Sequence, residues 1–152
     1  MENVKESTVD LLSNILKLHN DRIQGYQMAI DDTEDADLKV LFGKYAAQST
    51  SMASDLTASI ERAGGTPPEG TTLLGQVHKA WMEFKAAITS KDRGAVLESC
   101  ERGEDAIKTA YEEAIEPDSQ VLMSVRTTLH QQYDDIKKAH DHIRNLRDAA
   151  VA

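Results

Sequence analysis

Apolar and aromatic side chains recur along this chain in alternating steps of four and three. Leu12, Leu16, His19, Ile23, Tyr26 and Ile30 form one series, and Leu38, Phe42, Tyr45, Ser49, Met52, Leu56, Ser59 and Ala63 a second. A third runs through Leu97, Cys100, Glu104, Ile107, Tyr111 and Ala114. The fourth is Leu129, Tyr133, Ile136, His140 and Ile143, flanked by Leu122, Val125 and Leu146. Such spacing keeps every member on one stripe of an α-helix, so four helices each bury one face.

Local signals set the ends. Ser7-Thr8-Val9-Asp10 reads as a capping-box-like start, with Asp10 standing where a Glu usually reaches back. An acidic turn, 31–37, follows the first stripe. Gly64-Gly65-Thr66-Pro67-Pro68 stops the second. Beyond it, Thr71 or Thr72 can cap a shorter helix with Leu74, Val77, Trp81, Phe84 and Ile88 on one side, interrupted at 90–94. Pro117 marks the next break and suits the first turn of the helix after it. The predicted helices are therefore 7–32, 35–63, 93–116 and 117–148, with a fifth at about 72–89. Within this scheme Leu56, Ile107 and Ile136 are core residues, whereas Leu18 and Val4 fall off the stripes and contribute little.

Stripes of this kind pack helices nearly parallel in a left-handed bundle. Short turns make antiparallel hairpins of helices one and two and of the last two long helices. The long segment between the hairpins, 65–92, holds the extra helix; about 18 helical residues span about 27 Å, enough to return the chain along the bundle. The fold expected is an all-α four-helix bundle with one long crossover, a single domain over 1–152. An internal repeat points the same way: His19 precedes Tyr26 by seven, Tyr45 precedes Met52, Glu104 precedes Tyr111 and Tyr133 precedes His140 by the same step. Two turns of helix separate the members of each pair, so the hairpins read as degenerate copies of one unit.

The repeat puts His19, Met52 with Ser49, Glu104 and His140 at corresponding heights. Here the chain resembles the ferritin-like superfamily, including bacterioferritins and rubrerythrins, whose di-metal ligands are a Glu on helices one and three and Glu-x-x-His on helices two and four. Glu104 stands at the helix-three carboxylate and His140 at the helix-four histidine. His19 replaces the first Glu, Ser49-Thr50-Ser51-Met52 replaces Glu-x-x-His, and Lys137 replaces the Glu three residues before His140. The phrases Asn20-Asp21-Arg22-Ile23-Gln24-Gly25-Tyr26, Cys100-Glu101-Arg102-Gly103-Glu104-Asp105 and Ala139-His140-Asp141-His142-Ile143-Arg144 are similar to a bacterial ferritin-like bundle family of unknown function. That resemblance implies the fold, an association with stress physiology, and no assigned activity.

Charge narrows the partners. A formal net charge of -9 and a pI near 5.0 repel nucleic acid and anionic membrane surfaces. No stretch approaches the ~20 apolar residues of a spanning helix, the start carries no signal-peptide run, and Cys100 alone forms no internal disulfide; a cytoplasmic protein is expected. A homodimer and an unidentified protein partner stay open. Glycine-rich phosphate loops and nucleophile elbows are missing.

Two readings of the polar positions follow. In the first, His19, Glu104 and His140 belong to a hydrogen-bonded layer that fixes helix register, with Ser49, Met52, Glu101, Lys137, Tyr26, Tyr45, Tyr111 and Tyr133 around it, no cofactor and no catalysis. Lys137 is then a surface lysine, although an inward turn would pair it with Glu104 or Glu101. In the second, His19, Glu104 and His140 bind one zinc or iron, three ligands with an open position. The bundle is then a scaffold for assembly or partner binding in the first case and a metalloprotein or oxidoreductase in the second.

Overall fold

Five α-helices account for most of the computed structural model, which describes residues 2–72 and 75–151: α1 (Glu2–Asp32), α2 (Ala36–Arg62), α3 (Gln76–Ile88), α4 (Arg93–Ala114) and α5 (Met123–Val151). The chain is all-α, with no strand among the described residues.

Three boundaries differ from the sequence expectation, each for a local reason. Helix α1 starts at Glu2, ahead of the supposed cap. The Thr8 hydroxyl, fully buried, donates to Val4 O (2.7 Å) and accepts from the backbone N–H of Leu122 (3.0 Å). It therefore ties the connection between α4 and α5 to α1 instead of starting a helix. Pro117 lies in that connection, not in a first turn, because the Arg126 guanidinium gathers the carbonyls of Glu116 (3.1 Å), Pro117 (3.3 Å) and Ser119 and holds the segment open. Thr72 does not cap α3 either. Its hydroxyl and N–H both donate to the Asp21 carboxylate, and Gly75, at φ 113°, leads into the helix. Leu74 lies outside the described residues.

Helices α1 and α2 are antiparallel: the Tyr26 and Phe42 rings stack at 5.3 Å near one end, and Arg22 reaches Gln48 farther along. Helices α4 and α5 pair in the same sense, through Tyr111–Gln132 and His140–Glu101. Arg93, at the start of α4, holds Asp37 through two nitrogens (3.0 and 2.8 Å) and Asp35 at 3.2 Å. Helices α2 and α4 therefore begin at the same end of the molecule. Helix α3 lies against α1 and α4, where Trp81, 1% exposed, covers Gly25 on α1 and Gly103 on α4. An added Cβ would come within 2.8 Å of Trp81 Cε3 at Gly25 and 3.0 Å of Cζ2 at Gly103. The two glycines are the slot that seats the indole.

The apolar core is in two parts. One gathers Tyr26, Phe42, Trp81, Phe84, Leu97 and Ile143; the other gathers Leu12, Leu16, Leu56, Ile107, Leu129 and Ile136. Leu56, Ile107 and Ile136 are fully buried, and so, at 4% exposure, is Leu18. Leu18 faces the start of α3, beside Val77 and Ala106, a surface the four stripes did not anticipate. Truncating any of the four to Ala is expected to cost about 2–5 kcal/mol, whereas half-buried Val4 should cost clearly less. Urea midpoints check this, and a Leu18→Ala protein that melts with Val4→Ala would contradict the packing described.

A buried polar layer at the candidate functional site

Between the two apolar clusters lies a layer of polar side chains. Its centre is Arg22, on α1 at a position three after His19 and four before Tyr26, hence on the buried stripe. Arg22 and Glu104 are both fully buried. Arg22 Nε donates to Glu104 Oε1 (2.9 Å), and Nη2 lies 2.9 Å from the same oxygen at an angle that makes no second hydrogen bond. The Tyr26 hydroxyl donates to Glu104 Oε1 as well and lies 3.3 Å from Cys100 Sγ. Glu104 Oε2 has no partner among the described residues. Arg22 Nη1 donates to Gln48 Oε1 (2.9 Å) and Ser49 Oγ (2.8 Å), and the guanidinium sits 5.4 Å from the ring centres of both Tyr26 and Tyr45. Those aromatic faces favour the cation. Burial alone would lower the Arg22 pKa, and the charge and hydrogen bond of Glu104 outweigh it, so its pKa lies above the usual arginine value.

A directed hydrogen-bond chain leaves this centre. Arginine has only donors and a backbone carbonyl only accepts, which fixes every proton between Arg22 and Met52 O. Ser49 accepts from Arg22 and donates to His19 Nδ1 (2.9 Å); His19 Nε2–H donates to the Tyr111 hydroxyl (2.6 Å); Tyr111 donates to Gln132 Oε1 (2.7 Å); and Gln132 Nε2 donates to Met52 O (3.4 Å). The chain visits α1, α2, α4 and α5. It requires a neutral His19 protonated at Nε2. Burial first, and the Arg22 charge second, push the His19 pKa down to about 3. Burial likewise raises the Tyr26, Tyr111 and Cys100 pKa values, so none of these ionises near neutrality.

This arrangement makes stability pH-dependent. An unfolded His19 takes a proton near its ordinary value of about 6.5 and the folded one only near 3. The unfolded state binds more protons between those limits, so stability should fall as pH drops through that window, by up to about 1.4 kcal/mol per unit. The carboxylates whose pKa values are lowered, Asp141 to about 2 among them, act below the ordinary carboxylate range. The window from pH 6.5 to 5 therefore lies clear of the carboxylates, and substitution separates His19 from the other four histidines. His19→Gln should flatten the slope there, as read by urea unfolding at stepped pH; an unchanged slope would dissociate it from His19.

The structure brings His19, Glu104, Ser49, Tyr26, Tyr45 and Tyr111 into this one layer, with Met52 contributing its carbonyl. Four other sequence candidates lie elsewhere. His140, buried, has Nε2 3.2 Å from Glu101 and 3.4 Å from Asp105, and Nδ1 3.0 Å from Asp141; it does not meet His19 or Glu104. Glu101 also holds Arg147 at 3.2 Å. Lys137 is half exposed and pairs with Asp141 at 2.8 Å, so the inward turn toward Glu104 or Glu101 does not occur. Tyr133 is half-buried and donates to Glu112 (2.8 Å); its neighbour Gln132 takes the inward position. Among the described residues, no three His, Cys, Asp or Glu side chains are grouped to hold a metal ion.

Arg22, Gln48 and Gln132 are the members that sequence reasoning missed. For Arg22 the signal is its step of three from His19 and four to Tyr26, which puts it on the buried stripe. Its neighbours serve another wall: Asn20 donates to Gly70 O (2.7 Å), and Asp21 receives Thr72 and, at 3.4 Å, His78. The triplet Asn20-Asp21-Arg22 thus fastens both the start of the crossover and the core.

Among the described residues no helix is long and apolar enough to cross a membrane. No curated protein matches the chain. Residues 7–117, spanning most of α1 and all of α2, α3 and α4, match the family described as Domain of unknown function (DUF2383). Arg22, Ser49, Glu104 and Tyr111 fall inside the matched stretch, Gln132 and His140 outside it. The chain belongs to this family of unknown function.

Proposed function

We propose that the protein is a non-catalytic ferritin-like bundle, a scaffold for assembly or partner binding, in which an internal arginine stands where such folds carry metal. The observation that carries this reading is the Arg22 guanidinium against Glu104 Oε1, at the height where the ferritin-like resemblance puts ligands. A guanidinium supplies one positive charge and five directed donors. It thereby neutralises the carboxylate that a metal would otherwise take, occupying its Oε1, and it repels a second cation at the same oxygen. The alternative of a zinc or iron on His19, Glu104 and His140 requires Arg22 to leave Glu104, and His140 to leave Glu101 and Asp105.

The test is thermal melting of protein purified without a histidine tag, with and without a strong chelator, alongside metal analysis. The melting temperature should not move, since only a ligand bound to the folded state adds stability by mass action. A chelator-induced drop, restored by zinc or iron, would refute the metal-free reading.

A further inference from the structure

Helices α2 and α5 touch along few residues, and a groove of about 400 Å³ opens between them, lined by Lys44, Tyr45, Gln48, Asp135, Lys138, Ala139 and His142. We propose that this groove binds a small oxyanion, a phosphate- or carboxylate-bearing compound, on donors that the buried arginine orients from behind.

Two independent observations support the assignment. The first concerns Gln48, which stands between the groove and the core. Its Oε1 accepts from Arg22 Nη1 at 2.9 Å. Arginine has no acceptor, so the carboxamide cannot flip. Its oxygen stays inward, which leaves its two N–H donors turned from Arg22 on a side chain that lines the groove. Tyr45 is held similarly, with its ring against the guanidinium at 5.4 Å. One wall of the groove is thus fixed by a fully buried ion pair and presents donors outward.

The second observation is charge. The chain as a whole is strongly acidic, at -9, yet Lys44 on α2 and Lys138 on α5 both line this groove, with His142 also in its lining and Asp135 as the sole carboxylate among the lining residues. Ammonium groups over oriented amide donors are the usual chemistry for phosphate and carboxylate. The volume lies within the range of small-molecule sites, roughly 300–1,000 Å³. Buried Tyr45 and Ala139 give the inner wall an apolar surface for the body that carries the anion.

The site goes beyond the scaffold reading and does not depend on it: a bundle without metal and without catalysis can still carry a ligand on its flank. The experiment is a two-dimensional amide NMR titration of the full chain with inorganic phosphate and, in a separate arm, succinate, each against sodium chloride at equal ionic strength. Shifts should saturate and concentrate at 44–48 and 135–142. Lys44→Gln combined with Lys138→Gln should weaken them by at least about tenfold, and Lys44→Arg with Lys138→Arg should retain them, while the remaining amide spectrum reports that each variant is folded. Saturation by either anion supports the site, and the tighter arm names its chemistry. Shifts no larger than those in chloride, shifts scattered over the other lysines, or a double glutamine variant that binds like the wild type would each overturn it.

Discussion

Arg22→Ala should lower the unfolding free energy by about 3–5 kcal/mol, because it leaves the Glu104 charge buried with no cation. The loss does not measure the worth of the pair. Bringing both charges out of water costs several kcal/mol per ion, and their attraction repays this only with good geometry. Here two Arg22 nitrogens, Nε and Nη2, approach one oxygen, Glu104 Oε1, while Oε2 has no hydrogen-bond partner among the described residues, so the pair falls short of the two-oxygen fork that suits arginine. Removing both partners should therefore recover most of what removing one loses. Arg22→Met with Glu104→Leu, close to the originals in length and able to join the apolar clusters above and below, should come within about 1–2 kcal/mol of wild type or exceed it. Urea unfolding of the two single variants and the double variant gives the cycle. A double variant as unstable as Arg22→Ala would mean that the pair itself, rather than the avoidance of a lone charge, holds the layer together.

Trp81→Ala should cost about 3–5 kcal/mol, as expected for emptying a buried aromatic site. The indole reaches both α1 and α4 from α3, and its seat is shaped by two glycines. Gly25→Ala should be destabilising by about 1–3 kcal/mol through overpacking, since its Cβ would meet Trp81 Cε3 at 2.8 Å, although alanine is favoured over glycine in a helix interior by about 1 kcal/mol. Remove the indole and the sign should reverse: in a Trp81→Ala background, Gly25→Ala should stabilise, because propensity remains and the clash is gone. Additive effects of the two substitutions would show that Gly25 does not seat the tryptophan.

The helices were legible in the chain because burial on one face leaves a periodic trace, and Leu56, Ile107, Tyr111 and Ile136 kept to it. What failed to show in that trace had two physical sources. A helix touched on more than one side loses its single stripe: α1 packs on α2, α3 and α4, so Leu18 and Asp21 are buried although neither belongs to the His19–Tyr26 series. A buried charge, in turn, is visible only through its partner. Arg22 sits on the right face, but Glu104 is 82 residues away, and no local pattern joins them. On α5 the stripe is off by one position at its middle, where Gln132 rather than Tyr133 turns inward; an aromatic ring marks a stripe more visibly than an amide does. His140 lies on its stripe and is buried, yet its partners Glu101 and Asp105 stand on the flank of α4, so the layer it was assigned to lies elsewhere.

The separation of Arg22 from Glu104 along the chain bears on how the protein is made. Synthesis delivers α1 and α2 first, and their hairpin can close while α4 is still to come. At that stage the hairpin carries an arginine that can reach Gln48 and Ser49 on α2 but has no Glu104 to neutralise it, a charge in the midst of Leu16, Tyr26, Phe42 and Leu56. A charge so placed works against the sticking of half-made chains to one another, as gatekeeper residues do beside apolar segments. The group that completes the core when α4 docks is thus expected to oppose association of the hairpin before it does.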